Sequence, residues 1–134
     1  MELESILMID DDDSIRRIAE LTLTGFAKFR VTLARSGPEG LKILETQTPD
    51  LIILDVMMPD MDGPTVLLKL KENPATASIP VAFMTAKVQR HEMAAYSKLG
   101  ADGVIIKPFE PSELPDQLRE IYRQVKAANL ASVE

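Results

Sequence analysis

The sequence predicts an α/β domain, a parallel sheet with helices on both faces. Three observations carry that reading. Short apolar runs alternate with amphipathic segments five times along the chain, the pattern of a sheet wound with crossover helices. Most of the runs are unbroken rather than alternating, as strands buried on both faces are. The central run, Leu51-Ile52-Ile53-Leu54, ends abruptly in Asp55 and then in the turn-forming stretch Val56-Met57-Met58-Pro59-Asp60-Met61-Asp62-Gly63. Asp55 therefore stands at the carboxyl end of a central strand, where open α/β sheets hold their ligand sites.

The elements follow in order. Ile6-Leu7-Met8-Ile9 is a first buried strand, ending in the acidic turn Asp10-Asp11-Asp12-Asp13. A helix starts near Ser14, capped by Asp13 or Ser14, with Ile15, Ile18, Ala19, Leu23 and Phe26 at helical spacing. Phe29 to Ala34 alternates apolar and polar residues, as a strand near a sheet edge does. Ser36-Gly37-Pro38-Glu39 resembles a capping box with proline in the first turn, and opens a second helix with Leu41 and Leu44. Gly63-Pro64 opens a third helix carrying Val66, Leu67 and Leu70, which stops before Pro74. Pro80 to Thr85 is a fourth strand. The fourth helix is expected over 88–99, with Gly100 as its C-terminal cap. Gly103 to Ile106 is the fifth strand, ending in Lys107-Pro108. Ser112 is the expected cap of the fifth helix, which places Pro115 in its first turn and lines Leu114, Leu118, Ile121 and Val125 along one face. Residues 1–127 form one domain in this reading, and 128–134 a frayed tail.

Composition narrows the function. The 134 residues suit one domain, and 46% apolar content with only 4% aromatic content gives a core of aliphatic residues and Met. The chain has no Cys, so thiolate catalysis, thiolate metal sites and disulfides are excluded. A net charge of −6, from 15 basic and 21 acidic residues, argues against direct binding of nucleic acid. No apolar run approaches the roughly 20 residues of a membrane span, and the acidic start is unlike a signal peptide. A cytoplasmic domain is the expectation.

The chemistry gathers at the strand ends. In a parallel sheet these all emerge at one edge, so Asp10, Asp11, Asp55, Thr85 and Lys107 converge there. Three clustered carboxylates repel each other, and a divalent cation removes that repulsion. An oxygen-only ligand set favours Mg²⁺, with Mn²⁺ as the substitute. A carboxylate is also a competent nucleophile towards phosphorus. The cation would offset the phosphoryl charge, with Lys107 and Thr85 on the remaining oxygens.

Ile9-Asp10-Asp11, Asp55 through Gly63, Met84-Thr85-Ala86 and Ile106-Lys107-Pro108-Phe109 resemble, in order and over roughly residues 5–126, the receiver domain of two-component response regulators, CheY-like proteins. The resemblance implies a flavodoxin-like (βα)5 fold with strand order 2-1-3-4-5. It implies that Asp55 accepts a phosphoryl group from a histidine kinase or phosphotransfer protein, and that Asp10, Asp11, Asp55 and the Met57 carbonyl bind Mg²⁺. Thr85 and Lys107 would hold the phosphoryl oxygens, and the Lys107–Pro108 peptide bond would be cis. Phosphorylation would then draw Thr85 inward and shift the face of helix four, strand five and helix five, which meets a downstream target, an output domain or a second copy. Such a module catalyses only its own phosphorylation and dephosphorylation. Met57 and Lys87 fall at positions that tune phosphate lifetime in this family. One position departs from it: three residues before the lysine, where most receivers carry Tyr or Phe, stands Val104.

Taken singly, these residues have plainer readings. The four Asp make a solvated turn or a helix cap, Thr85 an ordinary strand residue, Lys107 a surface lysine, and His91 a surface residue with no role in phosphoryl transfer. Asp60 and Asp62 are turn residues. Met57, Met58 and Met61 are expected to pack on the first helix. The joint placement of the five strand-end residues outweighs those readings. Two rival functions remain. One is a receiver-like interaction module that is never phosphorylated, and the other a phosphatase of the haloacid dehalogenase type. The latter keeps its nucleophile on the first strand, in an Asp-x-Asp pattern that Asp10 to Ser14 matches poorly.

Overall fold

The computed structural model describes residues 2–86 and 89–133. Strands β1 (Ser5–Ile9), β2 (Arg30–Ala34), β3 (Leu51–Asp55), β4 (Val81–Thr85) and β5 (Gly103–Ile106) alternate with helices α1 (Asp13–Gly25), α2 (Gly37–Ile43), α3 (Gly63–Glu72), α4 (Arg90–Leu99) and α5 (Leu114–Val133). The strands form one parallel sheet in the order β2-β1-β3-β4-β5, the flavodoxin-like (βα)5 arrangement. After β2 the chain crosses β1 to place β3 on its other side. That reversal opens a crevice at the carboxyl edge between β1 and β3.

Alternation along the central strands divides the core in two. Ile6, Met8, Leu51, Ile53, Ala82 and Met84 point to one face, where Ala19 and Leu23 of α1 and Leu114, Leu118 and Ile121 of α5 cover them. Leu7, Ile9, Ile52, Leu54, Val81 and Phe83 point to the other, under Val66, Leu67 and Leu70 of α3 and Tyr96 of α4. There the Phe83 and Tyr96 rings meet edge-on, with centroids 5.2 Å apart and planes at 81°. β3 and β4 are buried at every position, which is why their runs lack alternation.

Several local expectations are corrected. α1 is capped by Asp12, whose carboxylate accepts from the N–H groups of Ser14 (2.8 Å) and Ile15 (3.1 Å). The turn is set one residue earlier than expected because the Asp12 N–H is itself held by Asp10 Oδ1 at 2.9 Å. The buried stripe of α1 is Arg16, Ala19, Thr22 and Leu23. Ile18 lies off that stripe and is exposed, and Phe26, in the C-cap position where the chain turns, is 83% exposed. α4 begins at Arg90; Lys87 and Val88 lie outside the described residues. α5 begins at Leu114, and Ser112 does not cap it. The Ser112 hydroxyl turns instead to Glu110 Oε1 (3.4 Å), within a turn closed by Glu110 O accepting from Leu114 N (3.1 Å). Residues 128–133, expected as a tail, continue α5. Met58 and Met61 pack with the α3 side of the sheet, away from α1, and Met57 is exposed.

Other elements match their sequence signals. Ser36 Oγ accepts from Glu39 N at 3.2 Å. The Glu39 carboxylate reaches back past the Ser36 N–H of a strict capping box to Arg35 N (2.9 Å). Gly100 closes α4 in the left-handed region at φ 107°. Gly63 is required by close approach, since a Cβ there would lie 2.5 Å from the Asp55 carbonyl oxygen and 2.8 Å from Val56 Cα.

Phe83 of β4 is fully buried between the sheet and α4. Phe83→Ala should lower the unfolding free energy by about 3–5 kcal/mol, read from the urea midpoint at unchanged slope. A loss under about 1 kcal/mol would show that this half of the core can collapse into the gap.

Candidate functional site

The pairing register builds the site. Ile9 lies opposite Leu54, so Asp10 and Asp55 leave neighbouring strands at the same level. Asp55 pairs with Met84, and Thr85 with Ile106, so Thr85 and then Lys107 continue the row. The Lys107 N–H donates to the Thr85 carbonyl at 2.9 Å, and the Lys107–Pro108 peptide bond is cis. Residues from four strands thus meet at one edge, as their positions in the sequence indicate.

Asp10 (0% exposed), Asp55 (3%) and Thr85 (2%) are buried, while Asp11 is exposed. The Lys107 ammonium lies between the two buried carboxylates, 3.2 Å from Asp10 Oδ2 and 3.2 Å from Asp55 Oδ1. Asp55 Oδ1 also accepts from the Met57 N–H at 3.3 Å. That bond folds the start of the β3–α3 loop back over the strand end. The Gly63 N–H, bonded to Val56 O at 2.9 Å, closes the loop from its far side. Asp60 adopts a left-handed φ of 67°, and Asp62 caps α3 through Thr65 N at 2.9 Å. The Thr65 hydrogen bond holds the Asp62 carboxyl below its usual pKa.

Burial and charge shift the ionisation of the pair. Burial pushes the Asp55 carboxyl up from 3.8 to about 7, the Asp10 charge adds to this, and Lys107 opposes it. Burial alone would lower the Lys107 ammonium, but the charges of Asp10 and Asp55 outweigh it and raise its pKa.

Asp10, Asp11 and Asp55 each offer a carboxylate oxygen within 4.8 Å of the others. Three carboxylates against the one Lys107 ammonium leave two negative charges, the charge a divalent cation supplies. Asp10 Oδ2 is buried and accepts no hydrogen bond: the Lys107 ammonium is close to it but off the hydrogen-bonding direction. A buried carboxylate oxygen without a hydrogen bond is costly unless something else coordinates it. The donor set, all oxygen, fits Mg²⁺ or Mn²⁺.

One neighbour of the site carries no signal of its own in the sequence. Arg16 is buried, pairs with the Asp13 carboxylate and donates from Nη1 to the Asp10 carbonyl at 2.7 Å. The available hint was its position. A cation in the first turn of a helix opposes the helix dipole and needs a local reason. His91 is exposed on α4, in line with its plain reading, and Val104 is half-buried on β5 opposite Phe83.

The sequence matches the response regulator receiver domain family over residues 6–119. It is 38% identical over 129 residues to a Porphyridium aerugineum protein named "Probable transcriptional regulator ycf27", a match covering 96% of this chain and 52% of that one. Response regulator Rre1 of Synechocystis sp. is 33% identical over 130 residues, covering 97% of this chain and 56% of its own. The chain spans about half the length of the first of these relatives and of others similar to it. Among solved structures, the Vibrio cholerae chemotaxis protein CheY4 superposes with a TM-score of 0.83 at 28% identity, covering 89% of this chain and 98% of that one.

The Asp55 shift has a consequence for stability in chelator. Its folded pKa, about 7, lies above the ordinary 3.8. Between these values the folded chain keeps a proton that the unfolded chain has released, so this contribution is fully present below about pH 4 and is lost as pH rises through 7. Asp55→Asn removes the liability. The stability advantage of Asp55→Asn over wild type, measured by urea unfolding in EDTA, should therefore widen from pH 4 to pH 7.5. An advantage independent of pH would contradict the buried-charge account of Asp55.

Proposed function

Since the chain belongs to the response regulator receiver domain family, we propose that Asp55 is its phosphorylation site, taking a phosphoryl group from a phosphohistidine on a histidine kinase or phosphotransfer protein. The observation that carries the proposal is the buried Asp10–Lys107–Asp55 arrangement, with one ammonium 3.2 Å from each of two carboxylates, beside a third carboxylate close enough to share a cation.

A carboxylate oxygen of Asp55 attacks phosphorus in line. The phosphorus–nitrogen bond of the donor breaks, its electron pair returns to the imidazole, and an aspartyl phosphate forms. Asp10, Asp11, Asp55 and the Met57 carbonyl would hold Mg²⁺, or Mn²⁺ in its place, which when bound offsets negative charge on the transferring group. Lys107 is placed to follow that charge: it already contacts Asp55 and needs only to move from one oxygen to another. Thr85, buried on the neighbouring strand end, supplies a hydroxyl to the same group. With both drawn to the phosphoryl oxygens, β4 and β5 shift at their carboxyl ends. The face formed by α4, β5 and α5 changes with them and meets an output domain, a separate target or a second copy of the chain.

The phosphatase reading is set aside, because the chain belongs to the receiver family over residues 6–119 and Asp10 to Ser14 fits the Asp-x-Asp pattern poorly. The unphosphorylated interaction module is the alternative that experiment has to exclude.

Incubated with Mg²⁺ and acetyl phosphate, the protein should gain one phosphoryl group by intact mass. Asp55→Asn and EDTA should each abolish the gain. No adduct, together with no binding of beryllofluoride in the presence of Mg²⁺, would refute the phosphorylation reading and leave the interaction module.

A further inference from the structure

We propose that Arg16 is a positioning residue for the divalent cation at the carboxylate cluster, acting through the backbone of Asp10. The inference rests on the cation role proposed above for Asp10, Asp11 and Asp55.

The argument starts from an improbable placement. Arg16 sits in the first turn of α1, where the helix dipole disfavours a cation, and it is only 8% exposed. A buried guanidinium persists where its donors are satisfied. Here Nη1 donates to the Asp10 carbonyl at 2.7 Å, and Nη2 pairs with the Asp13 carboxylate. A single planar group therefore spans the acidic turn and ties the end of β1 to the start of α1.

The acceptors of Asp10 show what this accomplishes. Its carbonyl is taken by Arg16, and its Oδ1 by the Asp12 N–H at 2.9 Å. Those two bonds fix both the main chain and the rotation of the carboxylate. Oδ2 is then left buried without a hydrogen bond, 3.2 Å from the Lys107 ammonium, in a cluster where Asp10, Asp11 and Asp55 each offer an oxygen within 4.8 Å of the others. Groups that hold metal ligands from behind typically matter 10–100-fold in metal affinity. Arg16 is charged, and an unneutralised cation this near the site would repel a divalent ion. The Asp13 carboxylate cancels that charge. Asp13 thus acts at one remove, which accounts for an acidic turn larger than the ligand set needs.

Lysine cannot reproduce the arrangement. Its ammonium is a point donor on a flexible stem, and it lacks the fork that reaches a carbonyl and a carboxylate together.

The test measures metal binding directly. Mn²⁺ and Mg²⁺ titrations by calorimetry at pH 7.5 would compare wild type, Arg16→Met and Arg16→Lys, at a temperature where far-UV circular dichroism shows each to be folded in EDTA. Both variants should bind about 10-fold or more weaker, with Asp13→Asn weakened less. In acetyl phosphate labelling, half-saturation should need correspondingly more Mg²⁺, while the rate at saturating metal stays within about twofold of wild type. A purely structural Arg16 would lower the unfolding midpoint and leave the metal dissociation constant of the folded protein unchanged. That result overturns the proposal. Should Arg16→Met fail to fold, Arg16→Lys decides the matter by the same comparison. Wild type that binds neither ion would instead overturn the cation reading itself, and this inference with it.

Discussion

Two buried carboxylates share one ammonium, and the structure around them depends on that imbalance. Asp10 and Asp55 lie side by side at the sheet edge with Lys107 3.2 Å from each. One positive charge cannot offset both buried carboxylates, so burial and the Asp10 charge still carry the Asp55 carboxyl up to about 7. Such a site is electrostatically incomplete by construction. It gains most from a ligand that brings positive charge, and it presents in the same place the carboxylate proposed above as the phosphoryl acceptor. Both properties come from one arrangement and cannot be tuned separately.

The fold makes the imbalance affordable. The strands that deliver the three groups are anchored by apolar residues with almost no exposure, and β3 and β4 are buried along their whole length. A well-packed parallel sheet holds its strand ends rigidly, so the carboxylates cannot splay apart to relieve their repulsion. The crossover that puts β2 and β3 on opposite sides of β1 opens the crevice they face. On the far side, the loop from Asp55 to Gly63 is pinned at both ends by backbone contacts too close for any side chain at Gly63. Stability elsewhere thus supports an unfavourable cluster at the edge.

Much of this is legible in the sequence, and the limits of legibility are physical. Continuous apolar runs ending in polar residues mark the strands and their functional ends, because a strand buried on both faces has nowhere else to put a carboxylate. The site residues at those ends, Asp10, Asp55, Thr85 and Lys107, are brought together as expected. Helix faces are harder to read. Ile18 and Phe26 fit a helical period yet face outwards, while Arg16 faces inwards. A hydrophobic period cannot anticipate a buried guanidinium, since the burial is repaid by the Asp10 carbonyl and the Asp13 carboxylate. The cap of α1 falls on Asp12, one residue before the expected position, for a related reason: four consecutive Asp are equivalent as side chains, and the hydrogen bond from Asp12 N to Asp10 Oδ1 distinguishes them. The end of α5 is set by length as well as propensity. The alanine-rich residues 127–131 are good helix formers once a helix already packed on the core leads into them.

Val104 bears on how the site speaks to the rest of the molecule. It faces Phe83 across the β4–β5 pair, and a β-branched side chain there has few rotamers and little reach. No ring stands at this position to link the site to the α4–β5–α5 face, so any link between them lies in other connections. Two are present. The Thr85 carbonyl is bonded to the Lys107 N–H at 2.9 Å, which couples the ends of β4 and β5 through the main chain. Phe83, two residues before Thr85 on β4, meets Tyr96 of α4 edge-on at 5.2 Å, which couples β4 to α4 through packed rings. Tyr96 also borders a cavity of about 520 Å³ lined by Val56, Met57, Met58, Pro59 and Asp62, so the ring has space beside it on the side of the site. The ends of β4 and β5 and the body of α4 are thus joined by a main-chain hydrogen bond and by packed rings, the routes by which a displacement of Thr85 would reach that face.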